Sequence, residues 1–173
     1  MQFLAQVRLA DLEDPTIPDG VFLIFQCDSD PGMCNQWEAE SGGNTVRIFP
    51  LDGLQPTDPP PSEEDDDEDE DDESPYLLEC ADGVELRAYQ DKGSETGYTD
   101  ARKEPGDVLG QVGGLPEWIQ ADETPNCGCG QSMRCVVQLE AHGGGGMNFG
   151  DSGSGYGFLC SSCQEGRFLW QCT

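Results

Sequence analysis

Short apolar runs rich in β-forming residues, each closed off by turn residues, make up most of the part of this chain that can pack. Residues 2–9 (QFLAQVRL) and 20–27 (GVFLIFQC) are parted by Asp14, Pro15, Pro18 and Asp19, a pattern that predicts strand, turn, strand. Residues 44–49 (NTVRIF) predict a third strand. Further on, residues 76–80 (YLLEC) and 84–89 (VELRAY) flank Ala81, Asp82 and Gly83 as the arms of a hairpin. Residues 134–140 (RCVVQLE), 155–160 (GYGFLC) and 167–172 (RFLWQC) complete the set, and only residues 9–13 and 117–121 suggest helical turns. The expected class is mainly β with few short helical turns.

The runs also recur in order. Residues 1–7 (MQFLAQV) align with 133–139 (MRCVVQL), with the methionine identical and Gln6 matched to Gln138. After each comes a turn and a strand ending in cysteine, at Cys27 and at Cys160, and then a third strand. This predicts a duplicated fold: residues 1–54 as a first repeat, 55–75 as a connector and 76–173 as a second repeat. Residues 109–132 (LGQVGGLPEWIQADETPNCGCGQS) precede the second copy, whereas the first begins at Met1. The first repeat is therefore expected to lack its leading segment, leaving Phe3 and Leu4 poorly covered at a strand edge.

Charge changes the picture. The 173 residues carry 35 acidic against 8 basic side chains, a formal net charge of -27. Residues 63–73 are eleven consecutive carboxylates between prolines and serines, which predicts a solvated, disordered connector, and -16 remains without them. Direct binding to nucleic-acid backbones or to anionic membranes is disfavoured. No apolar stretch approaches the length of a membrane helix, and residues 1–20 lack a secretory pattern, so the expected address is cytoplasmic.

One histidine, His142, rules out any site built from several histidines. His142 with Gly143–Gly145 imitates a lipase oxyanion loop, and Gly150-Asp151-Ser152-Gly153 imitates a serine-protease nucleophile. Both fail on context: Ser154 stands where the last glycine of Gly-x-Ser-x-Gly belongs, and no histidine follows. The expectation is that the protein is not an enzyme.

Nine cysteines without an export signal suggest metal ligands or buried thiols before disulfides. Cys127 and Cys129 form a C-x-C pair, and Cys160 and Cys163 a C-x-x-C pair after 30 intervening residues. Both lie at turns beside strands, as the four thiolates of a structural zinc knuckle do. Buried thiols and redox chemistry are the alternatives, and the C-x-C spacing departs from the usual knuckle. Cys27 and Cys34 are expected to be a partial second site, and Cys80, Cys135 and Cys172 core residues. Gln6, Gln138 and Trp118 are the candidate groove residues; the two glutamines either satisfy buried backbone or line a groove that binds a peptide backbone.

Several stretches resemble the YwqG-like family, also called the domain of unknown function 1963. They are residues 4–6 (LAQ), the strand led by Gly20, 30–44 (DPGMCNQWEAESGGN), 112–120 (VGGLPEWIQ), 127–133 (CGCGQSM) and 147–163 (MNFGDSGSGYGFLCSSC). The order of Gly-Gly-x-Pro, Trp118 and two cysteine knuckles is also distantly similar to programmed cell death protein 2. The resemblance implies a duplicated, mainly β fold without established enzymatic activity. It further implies a binding scaffold for a protein or peptide, chaperone-like or of the immunity kind. With the charge, it leads to a basic client as the expected partner. The alternative is an acidic mimic of nucleic acid that occupies a DNA- or RNA-binding protein.

Overall fold

In the computed structural model, which describes residues 1–27, 33–55, 86, 98–99, 108–141 and 147–173, the apolar runs become two antiparallel sheets. β1 (Gln2–Arg8), β2 (Val21–Gln26) and β3 (Asn44–Phe49) form the first, in that order. β4 (Gly110–Val112), β5 (Arg134–Glu140), β6 (Ser154–Cys160) and β7 (Glu165–Gln171) form the second, again in chain order. The protein is mainly β, as expected. The expected hairpin at residues 76–89 and the acidic run lie outside the described residues. Among the described residues no helix is long and apolar enough to cross a membrane.

Of the two expected helical turns, one forms. Leu9–Leu12 is a 3-10 turn that ends at Glu13 in a left-handed conformation. Residues 117–121 are bent but not helical, and are held to the second sheet by two side chains: Glu117 N–H donates to Gln138 and Gln120 N–H to Gln171.

Alternation of side chains places Phe22 and Ile24 of β2, Val7 of β1 and Val46 of β3 on one face of the first sheet. They meet Val136, Val137 and Leu139 of β5, Leu159 of β6 and Phe168 of β7, so the sheets face each other across a single shared core. Each such fully buried side chain contributes about 1.5–3 kcal/mol relative to exposure. An ion pair between Arg134 and Asp14 adds a link between the halves.

The two meanders agree in detail. The β1–β2 pairing shifts register between Phe3 and Ala5, and the β5–β6 pairing between Cys135 and Val137, positions that the 1–7 and 133–139 alignment superposes. They differ in cover. β2 alternates between buried and half-buried positions, whereas β6 is buried at all seven positions. The outer face of the second sheet carries a second cluster of Cys127, Met133, Cys135, Tyr156, Phe158, Cys160 and Leu169, closed by Trp118.

The approach of β3 to β7 is set by Gly166, where a Cβ would stand 2.2 Å from Val46 Cγ1. Val46 is stiff at χ1 and cannot swing aside. Gly166→Ala is expected to lower stability by about 1–3 kcal/mol through overpacking. Gly128→Ala, which meets nothing within 4 Å, should change it little. Denaturant unfolding of both variants checks the pair, and equal stabilities would show that the sheets are not in contact there.

Candidate metal centre

The segment between β4 and β5 carries the first cysteine pair to the second sheet. A bridge between Asn126 and Ser132 closes a tight turn in which Cys127 N–H donates to Gln131 O at 2.8 Å and Gly130 N–H donates to Cys127 O at 2.8 Å. Gly130 adopts φ +85°, which glycine takes without a Cβ penalty. The second pair follows β6 directly: Cys160 is its last residue, Gln164 N–H donates back to Cys160 O at 2.9 Å, and Cys163 stands exposed in the turn. Ser162 Oγ donates to Gln131 Oε1 at 2.7 Å and ties the two turns together.

The sulfurs of Cys127, Cys129, Cys160 and Cys163 all lie within 4.8 Å of one another, with Cys129 and Cys160 at 3.7 Å. Four thiolates at about 2.3 Å from a tetrahedral ion sit roughly 3.8 Å apart, so this cluster could hold a metal ion after small adjustments. The C-x-C spacing does not keep its two sulfurs apart: the turn at Gly128 brings both into the group. Two of the four, Cys127 and Cys160, are buried, and the other two are exposed, which leaves an approach from solvent.

Crowding sets Cys127, Cys160 and Cys163 apart. The backbone N–H of Cys163 is the largest influence on Cys160 and, with the Cys127 thiol and Ser162 N–H, lowers it to about 7 against desolvation. For Cys127, the backbone N–H of Cys129 favours the thiolate, but desolvation and the thiols of Cys160, Cys129 and Cys163 outweigh it and push the group up to about 12. Cys163 is raised, chiefly by the Cys129 side chain. Cys127 also donates to Glu165 Oε2 at 3.4 Å.

Elsewhere, Cys27 and Cys34 come together, with the Cys27 thiol donating to Cys34 at 3.0 Å. Cys135 is buried in the second cluster, and desolvation pushes its thiol up to about 12. Cys172 is half-buried, and Cys80 and His142 lie outside the described residues. Ser152 sits in the exposed turn before β6.

The candidate groove residues part company. Gln138 is fully buried; its Oε1 accepts from Glu117 N–H at 2.8 Å and from Gln111 Nε2 at 2.9 Å, and its Nε2 donates to Glu140 at 2.9 Å. Trp118 stacks on Phe158 with centroids 5.9 Å apart and an interplanar angle of 13°, and leans on Tyr156 at 4.5 Å. Gln6 is exposed on β1, far in environment from its counterpart. Sequence reasoning missed Gln171, whose Oε1 accepts from Gln120 N–H at 2.9 Å and whose Nε2 donates to Ala121 O at 2.8 Å. It also missed Glu140, which accepts from Tyr98 and Ser154 besides Gln138. A glutamine interrupting an apolar strand was the available signal for Gln171.

Gln138→Leu keeps the bulk but takes the acceptor from the Glu117 N–H and one of two acceptors from the Gln111 amide, which keeps Leu115 O, at a cost of roughly 1–3 kcal/mol. Gln6→Leu, at an exposed position, is expected within about 0.5 kcal/mol of the parent. Thermal unfolding of the two variants measures the contrast, and equal losses would mean that Gln6 is also buried.

Metal affinity should fall as pH falls, because a ligand sulfur must lose its proton to bind. Below about pH 7 Cys160 itself takes up a proton. Above that pH the Cys127 proton still has to be displaced, so affinity keeps rising with pH. Calorimetric titration at pH 8 in buffers of different ionisation enthalpy should record more than one proton released per ion. Release of none would show that the thiols do not bind the metal.

No family model, no curated protein and no solved structure matches this chain, so what the centre does rests on its own residues.

Proposed function

We propose that this chain is a non-enzymatic, YwqG-like binding scaffold in which Cys127, Cys129, Cys160 and Cys163 hold a structural zinc ion and the acidic surface attracts a basic protein or peptide. The convergence of four sulfurs within 4.8 Å of one another carries the reading. Four cysteine ligands fill a tetrahedral shell and leave no open position for substrate, which is the pattern of structural and not of catalytic zinc. Thiolates are soft donors suited to zinc, and a cation there relieves the repulsion that separates the four thiols. With a net charge of -27, the molecule steers cationic partners toward itself over distances set by the Debye length. A chaperone-like or immunity role for a basic client in the cytoplasm uses both features. It leaves the unbridged cysteines of the centre in the reduced state they need.

The second reading, an acidic mimic of nucleic acid, is favoured by one feature, the eleven consecutive carboxylates at residues 63–73. Salt separates the two. Protein purified under reducing, chelator-free conditions is expected to carry one equivalent of zinc by elemental analysis. It is also expected to bind an arginine-rich peptide with a component that survives half-molar salt. Less than half an equivalent of zinc overturns the centre, and binding that vanishes entirely with salt favours the mimic.

A further inference from the structure

Cys27 and Cys34 stand seven positions apart, and their sulfurs meet at 3.0 Å, closer than the 3.7 Å between Cys129 and Cys160. Each is fixed by its own set of main-chain contacts. Cys27 carries the β2–β3 ladder one step beyond the pairing of Gln26 with Asn44, its N–H donating to Gly43 O at 2.7 Å. Cys34 leads into a turn in which Asn35 takes φ 47°, a left-handed conformation that asparagine tolerates. Glu38 N–H at 3.0 Å and Ser41 Oγ at 2.6 Å donate to Asn35 O. The buried Asn44 Nδ2 donates to Gln36 O at 2.9 Å and to Glu38 O at 3.0 Å. Gly43 joins the two sides: it accepts from Cys27, and a Cβ on it would stand 2.2 Å from Cys34 O. Glycine is what lets both cysteines close on one residue.

The same turn reaches across to the second sheet. Trp37 O accepts the Trp170 N–H of β7 at 3.2 Å, and the two indoles meet edge to face with centroids 6.2 Å apart and an interplanar angle of 77°. Ala39 packs against the second cluster, and Glu40 lies 3.6 Å from Arg167. A covalent link between Cys27 and Cys34 would therefore tie β2 to a segment that is itself laid along β7.

We infer that Cys27 and Cys34 are a reversible disulfide site, closed by exchange with a small-molecule disulfide of the glutathione type, and that the bridge fastens the turn of residues 34–43 to β2. Bonded sulfurs lie at about 2.05 Å, roughly 1 Å nearer than these stand, a gap that small torsions of the two side chains cover. Both thiols are half-buried, so the reagent reaches them. One thiol gives its proton to solvent, and its thiolate attacks a sulfur of the small disulfide, forming a mixed disulfide and releasing one small thiolate. The second protein thiol, deprotonated in turn, attacks the protein sulfur of that mixed disulfide; the Cys27–Cys34 bond forms, the mixed bond breaks and a second small thiolate leaves. Two protein thiols are oxidised by two electrons, one small disulfide is reduced to two thiols, and the released thiolates take up the protons. Because the folded chain already holds the sulfurs together, it favours closure over the unfolded chain, and by linkage the bridge stabilises the fold by the same factor. The site stands apart from the zinc centre and the basic client, and neither reading falls with it.

The test equilibrates the full protein in glutathione buffers of graded oxidised-to-reduced ratio at neutral pH, quenches with acid, alkylates the free thiols and digests with trypsin. Residues 9–47 leave as one peptide whose only cysteines are Cys27 and Cys34. A form of this peptide two hydrogens lighter and closed to alkylation is expected, and it should revert when reduced glutathione is restored. The ratio of bridged to reduced peptide should be about tenfold or more higher for the native protein than for the same protein in denaturant at the same buffer ratio. The bridged protein should also melt at a higher temperature than the reduced one. No variant is needed, so a folding defect cannot imitate the result. Equal ratios in native and denatured protein, or glutathione adducts on Cys27 or Cys34 in place of the bridge, overturn the site. A second equivalent of zinc that Cys27→Ser removes and Cys129→Ser leaves in place would make the pair metal ligands, and this too overturns the inference.

Discussion

Main-chain polar groups laid against a sheet face must find partners, and in this protein two glutamine side chains provide them. Gln138 and Gln171 rise from β5 and β7 on the outer face of the second sheet and accept the N–H groups of Glu117 and Gln120. Because those N–H groups are satisfied, residues 111–121 can lie flat on the sheet, with Trp118 closing the second cluster. Because the segment lies flat, its continuation reaches the mouth of β6, and Cys127 and Cys129 arrive beside Cys160 and Cys163. The cysteine cluster is thus the far end of a strap whose near end is fastened by two amides. A buried amide in low dielectric is costly without partners and correspondingly specific with them.

The cluster itself is held in tension by charge. Two thiolates 3.7 Å apart, the spacing of Cys129 and Cys160, would repel by roughly 4 kcal/mol at an effective dielectric of 20. The surroundings therefore ease ionisation at Cys160 and oppose it at Cys127 and Cys163. A dication at the centre would attract each thiolate and offset their mutual repulsion. Cys135 differs in kind: its thiol is raised by burial, with no neighbouring thiols among the causes, so it behaves as a small apolar residue.

Local pattern made the strands legible and left their cover unread. The apolar runs at residues 44–49 and 134–140 coincide with β3 and β5, because alternation and β-branched content are local signals. β4 was invisible, since Gly-Gln-Val carries no strand signal and pairs only because β5 offers an edge. Residues 117–121 are instead laid against the second sheet, with N–H groups bonded to glutamines 21 and 51 positions away, contacts that no local pattern announces. Knuckle spacing singled out the four cysteines, but only the folded turn shows that the C-x-C pair converges. Gln6 and Gln138 align in sequence and part in environment, because burial depends on what lies over a strand and not on the strand.

That difference in cover has a mechanical side. Phe22 of the first sheet sits against both β6 and β7: Cβ atoms at Gly157 and Gly166 would come within 3.0 and 3.3 Å of its ring. The two sheets therefore approach closely at Phe22, where neither glycine leaves room for a side chain. The second is in turn fixed on its outer side by the strap and by the cysteine turns at its end. The close packing of Phe22 against β6 and β7 couples the two sheets through the shared core. A surface already ordered before it meets anything loses little entropy on contact, which is where a small, preorganised sheet gains over a flexible one.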